Sequence, residues 1–335
     1  MEESSVISQP SASWTGNPDN DEGPISRPPT IGSTTRALPI ISAGELAEQL
    51  NAEHQPALSL LDVRWTLAGS DRDGYLAGHL PGARYIDLDR ELAGPAGLGG
   101  RHPLPEPGEL EQVWRAAGLS NDSRVVVYDG GPGLAAARAW WLLRWSGLHQ
   151  VRVLDGGLPA WTADPDRPTG AGPEPIGPPG SMIVTAGSMP AVDADQAAAI
   201  AGSRAALLID ARAAARFRGD VEPLDPVAGH IPGSVNLPIG ELLTPAGTFR
   251  PAAELAARFA AVNVIVADGG GSSAAGGMIG GGSRDGGYLA VASCGSGITA
   301  CQLILAGKIA GLSLALYPGS YSQWCALDRP VAQGD

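Results

Sequence analysis

The chain has 335 residues, 44% of them hydrophobic, with 35 acidic against 22 basic side chains and a formal net charge of −13. That length suits two domains, each with its own core. The acidic excess excludes nucleic acid or an anionic membrane surface as the main partner, because phosphate binding needs clustered Lys and Arg, and no apolar run reaches the length of a membrane span. In chain order, residues 1–36 are polar, lack the basic start and apolar core of a secretory signal, and are expected to be disordered. Ser42 and Glu45 in SAGELAEQL form a capping-box signature before an apolar-periodic run. LSLLDVRW reads as a strand that closes on Asp62 and Arg64; RVVVYDGG is a strand closing on Asp129, followed by a helical pattern. Residues 164–187 are rich in Pro and Gly and read as an extended, partly stiff linker. Beyond it, Asp193 is a candidate N-cap, and ALLIDARAAARF repeats the strand with Asp-x-Arg. The Gly- and Ser-rich residues 268–287 have little to bury and read as a mobile surface insert. It leaves two apolar runs, Val264-Ile265-Val266 and Leu289-Ala290-Val291, competing for one central strand.

The chain repeats itself. Asp-x-Arg is followed in both halves by Gly-His-Leu/Ile-Pro-Gly, at His79 and His230, then by a strand, a tight turn and an apolar helix. Two copies of a strand–helix alternation predict an α/β fold of two tandem domains, residues 38–163 and 188–332, each a parallel sheet flanked by helices. Features present in both copies, including the two turn histidines and the Asp-x-Arg pairs, are read as structural.

What differs between the copies is where chemistry is sought. SCGSGIT places Cys294 on a strand-to-helix turn, where backbone N–H groups and a helix N-terminus favour an anion and should hold a thiolate. Asp129 occupies the same place in the first copy, so that domain is expected to be catalytically silent. The three cysteines, Cys294, Cys301 and Cys325, are too few and too clustered for a disulfide framework, show no metal-ligand spacing, and fit a reducing cytoplasm. Cys301 and Cys325 read as core packing.

In these motifs, occurring together and in order, the chain resembles the tandem-domain rhodanese-type sulfurtransferases. The resemblance implies an enzyme without metal or cofactor whose C-terminal domain alone carries the active cysteine. Cys294 would take sulfur from a small donor as a persulfide and pass it to cyanide or to a thiol, such as that of a thioredoxin-like protein. The resemblance further implies a proton relay of Ser296, His102 and Asp89, which would serve 3-mercaptopyruvate as donor. A substrate cradle would be made by Arg216, Gly295, Gly297, Ile298 and Thr299. Thiosulfate is the alternative donor; its enzymes carry basic residues in the loop where this chain has Gly295 and Ser296. A second substrate arginine of the family falls at Leu224, so one carboxylate contact is expected to be missing. The related Cdc25-type phosphatases need an arginine six residues after the cysteine, where this chain has Ala300. A non-catalytic interaction module is disfavoured by the intact Cys294.

Overall fold

Runs such as LSLLD and RVVVY are apolar on both faces, which suits a parallel strand covered by helices on either side. The computed structural model describes residues 38–52, 57–66, 68–175, 177–203, 206–265, 278–279 and 290–335. The expected disordered tail, and all of the expected insert except Met278 and Ile279, lie outside these residues. The first copy runs β1 (Ile40–Ile41), α1 (Ala43–Asn51), β2 (Leu58–Asp62), β3 (Trp65–Thr66), β4 (Gly69–Ser70), α2 (Arg72–Ala77), β5 (Arg84–Tyr85) and α3 (Leu88–Glu91). It continues with α4 (Pro107–Ala116), β6 (Arg124–Tyr128), α5 (Leu134–Trp145), β7 (Val151–Leu154) and α6 (Gly157–Thr162). The second copy runs α7 (Ala194–Ala201), β8 (Leu207–Asp210), α8 (Ala214–Arg218), β9 (Val235–Asn236), a 3-10 turn at Ile239–Leu242, and α9 (Ala252–Ala261). After β10 (Val264–Ile265) and β11 (Met278–Ile279) come β12 (Ala290–Ser293), α10 (Ile298–Ile309), β13 (Ala315–Leu316) and α11 (Ser320–Ala326).

Five parallel strands order the first sheet as β1-β7-β6-β2-β5. The second sheet is β13-β12-β8-β9, also parallel, and a bridge from Ala191 to Leu316 stands where β1 pairs in the first. The competition between the two apolar runs is settled by pairing: β12 lies between β13 and β8, while β10 pairs with β11. Cys294 therefore leaves the carboxyl end of an inner strand, where sites form in open α/β sheets.

Shared motifs carry the frame. Arg64 reaches Asp62 at 2.7 Å and the Gly78 carbonyl at 2.8 Å; Arg212 reaches Asp210 and the Gly229 carbonyl, both at 2.8 Å. His79 and His230 each bond a backbone carbonyl through Nδ1, at 2.9 and 2.8 Å, and stack on Tyr75 and Phe217. Asp193 completes a reciprocal capping box with Gln196. Ser42 forms only half of one: it accepts from the Glu45 N–H, while the Glu45 carboxylate pairs with Arg152. Along residues 164–187 the backbone is tied to the first copy: Gly172 N–H donates to Leu76, and Met182 N–H to Leu119.

The two copies meet through α5 and α10, which pack on each other and are almost wholly buried. One apolar cluster runs through both domains, from Leu61, Val127 and Trp141 to Ile209, Ala292 and Leu303. An interface this apolar should make the domains unfold as one. Guanidinium titrations followed by Trp fluorescence and by far-UV circular dichroism should give coincident single transitions. Leu303→Ala should lower stability by about 2–5 kcal/mol without splitting the transition; two resolved transitions would show that the copies are separable.

Candidate active site

Cys294 follows β12 directly and is 2% exposed. Its backbone N–H donates to Ser320 Oγ at 3.0 Å, and that hydroxyl donates to the Tyr317 carbonyl at 2.9 Å. Ser320 holds this position with φ +51°, an uncommon left-handed conformation for a residue with a side chain. Strained backbone of this kind persists where the surroundings over-determine it. The Gly297 N–H donates to Cys294 Sγ at 3.2 Å. Gly297 (φ +83°) also caps α10, and a Cβ there would lie 2.3 Å from the Pro318 carbonyl oxygen, so only glycine lets the turn close.

The first copy shows what this turn binds. Asp129 occupies the corresponding place after β6, and its carboxylate accepts the N–H groups of Gly131, Gly133, Ala135 and Ala136 at 2.9–3.2 Å. Burial pushes that carboxyl up, and the four backbone hydrogen bonds pull against the rise by favouring the charged form. The turn is a built anion cradle, filled in one copy by a carboxylate and in the other by a thiol.

Ser296, His102 and Asp89 come together. His102 Nδ1 lies 2.8 Å from Ser296 Oγ, and Nε2 lies 3.5 Å from Asp89 Oδ1. A carboxylate only accepts, so the ring proton sits on Nε2 and Nδ1 accepts the Ser296 hydroxyl. His102 is pushed down to about 4, by burial first and by the Arg138 and Arg101 charges, against the opposing pull of Asp89. The contact with Asp89 is therefore a long polar approach by a neutral ring at neutral pH, not an ion pair. Asp89 is itself held by Trp65 Nε1 at 2.8 Å and by the Ser70 N–H at 3.0 Å, and Trp65 meets the His102 ring edge-on.

Around the loop, Arg216 bonds Glu222 at 2.6 Å and Asp225 at 3.2 Å. Arg101, from the first copy, bonds the other Asp225 oxygen. Leu224 is exposed, and Arg218 pairs with Asp220 at the surface. Ile298 and Thr299 open α10 beside the cradle, Ile298 buried and Thr299 partly so. Cys301 is sealed in α10, donates to the Gly297 carbonyl at 3.2 Å, and is pushed up by burial to about 12. Cys325 is buried beside Tyr321. Sequence reasoning missed Trp65, Ser70, Ser320 and Arg101.

A rhodanese-like domain family model matches residues 42–164 and again residues 193–327. The chain belongs to the rhodanese family. It is 41% identical, over 88% of this chain and 98% of the relative, to a probable 3-mercaptopyruvate sulfurtransferase of Pseudomonas aeruginosa. It is 40% identical, over 89% of this chain and 98% of the relative, to a putative thiosulfate sulfurtransferase, SseB, of Mycobacterium tuberculosis. Among solved structures, the 3-mercaptopyruvate sulfurtransferase SseA of Escherichia coli matches with a TM-score of 0.68 and 30% identity, covering 85% of this chain and 100% of that one. No helix among the described residues of this family member is long and apolar enough to cross a membrane.

A neutral His102 has two measurable consequences. The ring proton resonance that disappears in His102→Asn should titrate in NMR with a midpoint near 4, not near the ordinary 6.5. Between those values the unfolded chain binds a proton that the folded chain does not. Acidification through that window therefore destabilises the fold through this residue, and His102→Asn should flatten that part of the profile. A midpoint near 6.5 would contradict the burial and charge effects described.

Proposed function

We infer that this rhodanese-family sulfurtransferase moves sulfur from 3-mercaptopyruvate through a persulfide on Cys294. The reading is carried by one observation: the Ser296 hydroxyl in the cysteine loop is hydrogen-bonded to His102 of the other domain. In the first half-reaction the Cys294 thiolate attacks the donor sulfur. An S–S bond forms, the C–S bond breaks, and its electron pair leaves on the pyruvate enolate. The donor's thiol proton ends on the enolate carbon, so thiolate plus mercaptopyruvate gives persulfide anion plus pyruvate with charge unchanged. Ser296 is the group placed to pass that proton, with neutral His102 as acceptor and Asp89 fixing the ring. An enolate needs such help; the sulfite released from thiosulfate does not. A thiol or cyanide then attacks the outer sulfur and restores the thiolate; a thioredoxin-like dithiol is the acceptor class that suits a cytoplasmic enzyme.

The charges near the loop support a monoanionic donor. Arg101, Arg212 and Arg216 face Asp210, Glu222 and Asp225, three cations against three carboxylates. The cluster offers directed N–H groups without the net positive charge that a dianion such as thiosulfate would favour.

Cys294→Ser should abolish turnover and the gain of one sulfur atom seen by mass spectrometry after donor treatment, with the fold intact. Wild type should show a higher kcat/KM for mercaptopyruvate than for thiosulfate. Ser296→Ala should lower kcat for mercaptopyruvate by about 10²-fold while leaving thiosulfate turnover nearly unchanged. A thiosulfate preference in wild type, or equal losses for both donors in Ser296→Ala, would overturn the donor assignment.

A further inference from the structure

We propose that the Gly-His-Ile-Pro-Gly turn of the second domain is an open site for a carboxylate on an extended peptide, with His230 Nε2 and the Gly233 N–H as its donors. The first domain shows the same site filled. There the Glu174 carboxylate, from the linker, lies 3.1 Å from His79 Nε2 and accepts the Gly82 N–H at 2.8 Å. These contacts, the Gly82 N–H first, hold the Glu174 carboxyl below the usual carboxylate range. In the second domain His230 is 5% exposed and its Nδ1 meets the Phe217 carbonyl, but no group among the described residues meets Nε2. The Gly233 N–H likewise has no acceptor among them. Gly233 (φ +84°) keeps the conformation of Gly82 (φ +76°), so the donor stays where its counterpart binds Glu174.

The match extends along the segment that follows each domain. Asp-Arg-Pro recurs at 166–168 and 328–330; Arg167 lies over Trp161 and Arg329 over Trp324. Each indole N–H donates to the proline carbonyl, at 2.9 and 2.7 Å. Two residues on, Gly170 pairs antiparallel with His79, and Ala332 with His230. The Gly172 N–H then donates to Leu76 and the Gly334 N–H to Arg218, still in register. From there the linker delivers Glu174 to His79 and runs on to Gly177, where a Cβ would lie 2.8 Å from Arg84 Nη2 on edge strand β5. The corresponding surface of the second copy is a cavity of about 250 Å³, lined by Phe217, Arg218, Ser234 and Val235, with Val235 on edge strand β9. The occupant that fits is an extended segment of another protein chain, small and Pro-rich around one Glu or Asp, as residues 170–177 are.

His230 Nδ1 donates to a carbonyl, so Nε2 can donate to a carboxylate only when the ring carries both protons. Binding therefore takes up a proton and should weaken as pH rises from 6 to 8. The charged groups on the elements that meet His230 are Arg212 with Asp210 and Glu222, Arg218 with Asp220, and Asp335. The test titrates the full chain at pH 6 with three probes: a capped peptide of residues 170–177, the same peptide with Glu174→Gln, and acetate. In ¹⁵N NMR the first peptide should bind saturably and move the Gly233 amide and His230 Nε2 signals together. The Gln peptide should bind at least about tenfold more weakly, since the charge-assisted contacts are lost. His230→Asn keeps a donor for the Phe217 carbonyl but has no Nε2, and should weaken binding of the first peptide as much. Arg218→Glu, a surface change beside the cavity that leaves the turn intact, should weaken it about threefold. Equal affinity for the Glu and Gln peptides, no saturation at millimolar peptide, or shifts at Gly82 and His79 instead would refute the site. Acetate binding as tightly as the peptide would refute peptide docking.

Discussion

Everything at this site depends on two helices that have no free face. A helix on the outside of an α/β domain normally buries one stripe and leaves the other to water. In α5 and α10 nearly every residue is buried, because each covers its own sheet on one side and the other domain on the opposite side. The interface also encloses a charge. Arg138 of α5 is fully buried and donates to the carbonyls of Leu92, His102 and Pro103 at 3.2–3.3 Å. Burying a guanidinium is costly unless its donors are met; Nε and Nη2 of Arg138 are met by these carbonyls and hold the segment that carries His102, while Nη1 has no hydrogen-bond partner among the described residues. The same charge then helps to keep the His102 ring neutral. Packing, loop position and protonation state are thus linked through one residue.

Electrostatics at long and short range have different tasks here. A net charge of −13 does not draw an anionic donor toward the molecule, and at physiological salt such fields fade within about 8 Å. The arginines near Cys294 are each matched by a carboxylate, so they add little net attraction from afar. What they add is direction at contact. Paired guanidiniums lose less conformational freedom when a ligand arrives, since their carboxylate partners have already fixed the forks. An arrangement of this kind trades encounter rate for orientation, which suits the proposed reaction, in which one sulfur would be presented to another in line.

Much of the frame was legible because its signals are local or repeated. The strand runs, the Asp193 cap, both Asp-x-Arg pairs and the strand-to-helix turn at Cys294 can each be read within a dozen residues. The repeat made Asp129 and Cys294 visible as counterparts. Ser296, His102 and Asp89 were named from a family pattern, and the structure brings them within hydrogen-bonding reach of one another. What stayed hidden depends on contacts made across the chain. Ser320 matters through a turn bond to the Cys294 N–H, and Trp65 and Ser70 matter through Asp89 some twenty residues away. Arg101 was overlooked beside a histidine that was noticed, because its carboxylate partner Asp225 belongs to the other domain. The half-formed box at Ser42 has the opposite cause: a local signature was overridden when Glu45 found a stronger cationic partner in Arg152.

The two turns differ in how far their N–H groups are used. Asp129 lies four residues before the glycine that caps α5, whereas Cys294 lies three before the one that caps α10. With its longer turn and two oxygens, the carboxylate takes four N–H groups and closes the cradle on itself. It serves as a fixed internal anion that secures the start of α5, and α5 in turn braces α10. The Cys294 sulfur, by contrast, takes one N–H, from Gly297. The first-turn N–H groups of a helix have no partners within it, so under the proposed mechanism a persulfide's outer sulfur would have donors to meet in this turn that a second ligand in the Asp129 turn would find already occupied. The first copy keeps a filled turn, and the helix it anchors packs on α10 of the second; the less filled turn of the second copy leaves room for the second sulfur atom that the proposed chemistry would bring in.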